Sequence, residues 1–533
     1  MKNRNWTIIV LILGFILGYE WFVVRPQMKK QMLAQQAITK TESPTIAPVS
    51  TGEAANPTTP KERVTAEQRS SAIRLAIAQS RTIRIFPNGG LGDAEFGDYS
   101  DRLNKDQPVR LDTEGWLWSS NDPAINACLA SLAARAGDSS EQGTTFVGES
   151  GGGQCELRYE TVDTAKQPGL LKVRLSLSSF PESLGYIEFG TRDRYGKDLN
   201  AQDHKYLGFM VDGSRTWVKE KNLLETTTVQ GRFDWIAWGD KYFGTILMPK
   251  GQFNPNFFHG SSSQSADGIV FGIRYPLSSA KEATKTFEFN MFVGARSPEI
   301  LTSIDPALID SVDFGWFGSV ARALLWMLKK IHLVVGNWGI SIIVLTLLVR
   351  LAFWPLNRKV YSSGQKMKLV QPEMERIKAK YANDKSKADQ MNREVMELYR
   401  KHQVNPLGGC LPVLAQMPIF IGLWSALSHA IELYQTQFLW IHDLSSRDPY
   451  YIFPALWTVT LLLYARLTPQ PQSQPGMPDM KWVMIIMNLV FGFLSKDWPA
   501  GLTLYLFVSN LVGITQQWLF QRAAKLQPIR EGA

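Results

Sequence analysis

Arg350 is the residue whose type and position most call for chemistry. It lies near the end of an otherwise uncharged apolar run, Trp338 to Pro355 (WGISIIVLTLLVRLAFWP). A charge at membrane depth costs about 2.5–3.5 kcal/mol on insertion scales, and such a residue usually faces a wet cavity or a partner. Thr346 stands four residues earlier and shares its helical face. A fixed positive charge there would attract acidic groups on a passing segment, and a dielectric below that of water would strengthen the pull.

Other polar residues interrupt apolar runs further on. Gln416 lies about five residues inside the run 411–431, and Arg350 about five residues before Pro355. At about 1.5 Å per residue both sit ~7–8 Å deep from the same side, so they could face each other. The run 499–520 offers Tyr505, Ser509, Asn510, Gln516 and Gln517, and the run 481–494 adds Asn488. Together they outline a hydrophilic groove, whose candidate residues are Arg350, Thr346, Gln416, Tyr505, Ser509 and Asn510. The alternative is that Arg350 snorkels to lipid phosphates while the amides and hydroxyls join helix to helix. No Asp or Glu lies deep in a run; Glu432 and Asp497 sit at edges. There is no GxxxxGK[ST] and no HExxH, and the six histidines are scattered. The chain is therefore read as a non-enzyme without cofactor or metal.

These residues need membrane spans to hold them. Lys2 and Arg4 precede an apolar stretch over 6–24 that ends at Arg25-Pro26 with no A-x-A site. This reads as an uncleaved signal anchor. With the runs at 338–355, 411–431, 450–467, 481–494 and 499–520, six crossings are expected. The segment 357–409 holds twelve Lys/Arg against six Asp/Glu, whereas the loop 432–449 has only Arg447. The excess of basic residues places that segment and both termini in the cytoplasm. For the same reason the net charge of +9 does not point to nucleic acid; no DNA partner is expected.

The remaining regions follow from pattern. Residues 25–64 are rich in Thr, Ser, Pro and Ala, a tether. Residues 65–300 alternate with period two, as in Leu171, Val173, Leu175, Leu177 and again in Phe287, Phe289, Met291, Val293. Many short strands punctuated by Gly, Asp and Pro argue for a large sandwich. Its aromatics Trp235, Trp238, Tyr242 and Phe243 read as core. Cys128 and Cys155 fall in this region, and a disulfide or two free thiols both fit. Residues 301–334 include an amphipathic, interfacial helix with Phe317, Val320, Leu324, Leu328 and Ile331 on one face. Within 335–520 a helical hairpin (357–409) has seams at Val360, Met367, Val370, Met374, Ile377, Tyr381 and at Ala388, Met391, Val395, Leu398, His402. Asn383-Asp384 marks its turn, and Pro372 breaks or restarts the first helix. The connector 468–480 is Pro-rich, and the tail 521–533 is basic.

Several motifs carry a resemblance. Asn405-Pro406-Leu407-Gly408-Gly409-Cys410-Leu411-Pro412 followed by Gln416-Met417-Pro418-Ile419-Phe420 resembles the signature of the YidC family of membrane protein insertases. The Arg350 run ending in Pro355-Leu356, Trp440-Ile441-His442-Asp443-Leu444 with Asp448-Pro449-Tyr450-Tyr451, and Pro499-Ala500-Gly501-Leu502 through Val508-Ser509-Asn510 are similar too. The likeness is strong over about 330–520; the anchor and β region match the Gram-negative form by layout. It implies a polytopic α-helical membrane protein of the bacterial inner membrane, with six transmembrane helices, five of them the family core. A large periplasmic β-sandwich and a cytoplasmic helical hairpin complete it. The family acts on nascent membrane proteins, alone or with the Sec translocon and its accessory subunits, and contacts the ribosome and the phospholipid bilayer without nucleotide. Arg350 and Thr346 correspond to its groove arginine and threonine. Relatives often carry two adjacent tyrosines where this chain has Tyr505-Leu506, so an aromatic substrate contact at 506 is missing here. A scaffolding assembly factor and a small-solute transporter remain as other readings of the residues.

Overall fold

A computed structural model describes residues 72–78, 81–100, 108–111, 116–135, 143–162, 167–180, 185–194, 206–218, 222–223, 225–250, 254–261, 268–277, 284–381, 388–402, 411–467 and 480–526. The signal anchor, the tether, the Asn383-Asp384 turn, the Asn405–Cys410 motif and the Pro-rich connector at 468–479 lie outside them. The chain divides into two compact units at Val312/Asp313. That is beyond the 300/301 boundary drawn from sequence, because a short helix, Pro298–Ile304, and a 3-10 turn, Pro306–Ser311, belong with the first unit. Arg296 ties the turn down by donating to the carbonyls of Ser311 and Asp240.

The first unit is two nine-stranded antiparallel sheets. One runs β1 (Ile73–Ala78), β2 (Arg81–Ile85), β3 (Leu91–Ser100), β5 (Trp116–Ser120), β10 (Tyr186–Arg194), β17 (Gly268–Pro276), β16 (Asn256–Ser261), β13 (Thr227–Val229), with β4 (Pro108–Leu111) beside β3. The other runs β12 (Ser214–Val218), β11 (Tyr206–Val211), β14 (Phe233–Gly239), β15 (Phe243–Lys250), β18 (Thr284–Ala295), β9 (Leu170–Ser178), β8 (Gly153–Thr161), β7 (Gly143–Ser150), β6 (Ala133–Ala134). The alternation read from sequence sets the inner face. Leu171, Val173 and Leu175 pair with Met291, Phe289 and Phe287 across β9 and β18, and all six are buried. Each such side chain contributes about 1.5–3 kcal/mol on burial. Aromatic rings join the sheets: Phe189 to Phe289 at 4.9 Å, Trp238 to Phe271 at 4.6 Å and Phe96 to Phe243 at 5.2 Å. Trp235, Trp238, Tyr242 and Phe243 are core, as expected. Cys128, on helix α1 (Pro123–Ala130), is joined to Cys155 of β8, with Cα atoms 6.1 Å apart.

Helices make the second unit. Counting Pro298–Ile304 as α2, they are α3 (Gly318–Val335), α4 (Trp338–Ala352), α5 (Trp354–Lys380), α6 (Ala388–Lys401), α7 (Leu411–His429), α8 (Ile452–Leu467), α9 (Met480–Leu494) and α10 (Ala500–Leu526). Gly336, at φ 71°, ends α3, and the Asn337 side chain then accepts from the Ile340 amide to start α4. Both signals are local: a left-handed C-cap suits glycine, and an asparagine N-cap satisfies a free amide. α10 packs on α8 and α4, α7 on α3, and α9 on α8.

Three expectations change. The buried face of α3 keeps Leu324 and Leu328 of the expected stripe and adds Ala321 and Leu325, while Phe317, Val320 and Ile331 are half-buried. The face is wider than the stripe because α3 crosses α7 at Gly422, whose missing Cβ lets Val320 and the Ala321 backbone come close. α5 continues through Pro372 instead of breaking there. Proline removes one main-chain donor, and the flanking turns carry the helix on. Thirdly, among the described residues no helix is long and apolar enough to cross a membrane, so the count of six crossings is not established by the fold. At about 1.5 Å per residue, α4 and α9, with 15 residues each, and α8, with 16, are short. α10 is long, with 27 residues, but polar side chains interrupt it.

The hairpin packs on part of its seams, with His402 exposed. Val370, Met374 and Leu398 form a buried cluster flanked by Ile377, Val395 and Tyr399. The two arms run antiparallel: Glu394 pairs with Lys380 and Tyr381 near the turn, and Glu373 with His402 at the far end.

Candidate functional site

α4, α7 and α10 bring four of the six candidate residues into one polar cluster. Arg350, in the last turn of α4, donates from Nε to Ser509 Oγ on α10 at 2.9 Å. Tyr505, one turn before Ser509 and buried, lies near Ser509 and near Gln416 of α7. Arg350 and Gln416, expected to face each other, thus stand on either side of Ser509 and Tyr505. Three helices contribute to the cluster, and the Arg350–Ser509 bond that joins α4 to α10 is worth about 1 kcal/mol.

The shape around the guanidinium comes from glycine. Gly513 continues the 505–509 stripe of α10 by one more turn. A Cβ there would lie 3.4 Å from Arg350 Nη1 and 3.2 Å from Tyr464 Cε2 of α8. The Ser509 hydroxyl accepts from Arg350, Tyr464 and Tyr505 stand nearby, and Arg350 takes no part in the ion pairs found among the described residues. Half-buried and with no carboxylate beside it among the described residues, it carries its positive charge unpaired there.

The other two candidates are placed differently. Thr346 is buried, and its hydroxyl donates to the carbonyl of Ile342 on its own helix at 2.6 Å. Asn510 follows Ser509 by one residue, about 100° around the helix, and its amide nitrogen is buried without a partner among the described residues. Leu506 is buried, as is Tyr505 beside it. Tyr464 and Gly513 were not foreseen. Gly513 had one readable signal, its four-residue spacing from Ser509. Gln516, noted as polar in the last run but not chosen, donates to the carbonyl of Arg350.

Comparison with known proteins agrees with this architecture. The sequence model of the family described as 60Kd inner membrane protein matches residues 330–527, and that of the YidC periplasmic domain matches 201–327. A "Membrane protein insertase YidC" of Aromatoleum aromaticum is 39% identical over 290 residues, 54% of this chain and 51% of that protein. One of Stutzerimonas stutzeri is 34% identical over 383 residues, 71% of this chain and 66% of that protein. One of Vibrio cholerae is 29% identical over 556 residues, 98% of each. The match thus spans about half the length of the Aromatoleum protein and nearly all of the Vibrio one. A β-sandwich unit matched in part by the periplasmic-domain model, a helical unit matched by the inner-membrane-protein model, and relatives of one name along up to 98% of the chain lead to one assignment: the chain belongs to the YidC family of membrane protein insertases.

Proposed function

We propose that this chain moves nascent inner-membrane proteins into the bilayer through a hydrophilic groove lined by α4, α7 and α10, alone or with the Sec translocon. The observation that carries the reading is Arg350, a half-buried cation held by the Ser509 hydroxyl with no carboxylate partner among the described residues. Such a charge keeps its attraction for an acidic group arriving from outside, and the partly dry setting enlarges that attraction. A substrate segment slides along the three helices while its short polar flank rests near Arg350. Partition of the segment into lipid then drives the step, at about 25 cal/mol per Å² of apolar surface buried.

The short helices support the same reading. Fifteen residues rise ~22 Å, less than the ~30 Å of a typical hydrocarbon core. A bilayer adapts to such a mismatch by thinning locally, which shortens the path of a polar flank. In this reading the chain crosses the inner membrane six times, with both termini cytoplasmic and the β unit periplasmic. The hairpin receives the nascent chain, and the basic cytoplasmic segments contact the ribosome.

Photocrosslinking from Thr346, Gln416 and Tyr505 to a stalled nascent membrane protein tests the path. Crosslinks that pass from one position to the next as the chain lengthens are expected. Silence at all three, with crosslinks from the hairpin only, would show that the polar residues merely hold the bundle together.

A further inference from the structure

Gln516 and Gln517 are adjacent on α10, and both are buried. They turn to different helices. Gln516 Nε2 donates to the main-chain carbonyl of Arg350 at 3.3 Å, and its Oε1 accepts from Asn357 Nδ2 at 3.2 Å. Gln517 Nε2 donates to the carbonyl of Leu467 at 2.6 Å, and Gln521 Nε2 approaches the same oxygen at 3.5 Å. Arg350 is in the last turn of α4, and Leu467 ends α8. The last four carbonyls of a helix lack an intrahelical donor and need one from elsewhere. α10 supplies donors to the ends of two neighbours at one level.

The consequence concerns Arg350. α10 holds that residue twice, by its side chain through Ser509 and by its backbone through Gln516. The two grips are seven residues apart, or ~10 Å along α10. Without the second, the end of α4 could drift, and a long cationic side chain in that position would swing toward the polar surface. Both ends of the Gln516 amide are engaged, so its orientation is set. We propose that Gln516 is a positioning residue for Arg350. It keeps the last turn of α4 against α10, so that the guanidinium stays on Ser509 rather than snorkelling to the membrane surface. The inference rests on the groove reading above.

The test uses the full chain in liposomes and two single-span substrates that differ only in an acidic or a neutral translocated flank. Gln516→Met keeps the length and removes donor and acceptor. We expect it to lower insertion of the acidic-flank substrate about five- to tenfold, the factor for one lost buried hydrogen bond, with the neutral one changed less than twofold. Combined with Arg350→Ala it should add nothing to the loss caused by Arg350→Ala alone. Asn357→Ala, which frees the Gln516 amide without touching Arg350, should show the same selectivity at about two- to threefold, and keeps the test open if Gln516→Met does not fold. Equal losses for both substrates, or a double variant worse than Arg350→Ala, would show an ordinary packing role and overturn the inference. If Arg350→Ala itself does not distinguish the substrates, the groove reading fails and the positioning role with it. If Arg350→Ala distinguishes them and neither Gln516→Met nor Asn357→Ala does, only the positioning role fails.

Discussion

Single residues decide what Arg350 can reach, and the decisive one on α10 is a residue without a side chain. Gly513 leaves the space that the guanidinium and Tyr464 occupy. A methyl group there meets them at 3.2–3.4 Å, and a branched side chain meets them closer still. Gly513→Val should therefore push Arg350 off Ser509 and lower insertion of acidic-flank substrates toward the level of Arg350→Ala. Because glycine disfavours a helix interior by about 1 kcal/mol relative to alanine, Gly513→Ala should hold or raise the thermal midpoint in detergent while insertion falls. Loss of activity only in parallel with loss of stability would count against the steric account. The same residues show what a sequence can reveal. Arg350, Gln416, Tyr505 and Ser509 were legible because polar groups in apolar runs are expensive and must find one another. Gly513 and Tyr464 were not, since empty space is defined by neighbours and a tyrosine near a helix end reads as an interfacial anchor. The hydroxyl of Thr346 shows a further limit: spacing gives a face, and the Ile342 carbonyl one turn away takes the bond.

Elements were legible where periodicity was strong. The period-two strands β9 and β18 emerged with their inward residues as read, and the hairpin emerged with Val370, Met374 and Leu398 at its centre. The face of α3 is wider than its apolar stripe because the crossing point with α7 depends on Gly422, a residue far away in sequence. The hairpin also carries a prediction. Among the described residues its central cluster is Val370, Met374 and Leu398 with three partly buried neighbours, and Tyr399 donates to Met374 Sδ at 3.2 Å. A Leu→Ala change in a packed site costs about 2–5 kcal/mol. Leu398→Ala should melt the hairpin alone. In hydrogen exchange of the full chain, amides of α6 and of the second half of α5 should lose protection while α7, α8 and α10 keep theirs. Unchanged exchange in α6 would mean that the hairpin is held by something other than its seam.

At the scale of the whole molecule, the two units divide the physics. The β unit is stabilised by a continuous aromatic and aliphatic core and needs no bilayer to bury it. The helical unit leaves much of its apolar surface open: Trp482, Ile486 and Phe493 on α9, Val459 on α8 and Leu351 on α4 are all exposed. Lipid is the solvent that this surface suits, and the proposed membrane crossing follows from that and from the charge of the loops. Helix length then becomes a functional quantity. With 15 residues in α4 and in α9, the apolar belt is ~22 Å tall and matches a thinned bilayer better than an average one. Reconstituted into phosphatidylcholine liposomes of increasing acyl-chain length, the chain should insert a fixed single-span substrate fastest where the hydrocarbon core is below ~30 Å. The rate should fall severalfold as the core thickens, because each added ångström restores the distance a polar flank must travel through hydrocarbon. The acidic-flank and neutral-flank substrates should slow together, since thickness acts on the path and not on the charge. A rate independent of thickness would mean that the helices do not thin the bilayer. A slowing confined to the acidic flank would place the effect at Arg350, pulled away from Ser509 by the thicker membrane.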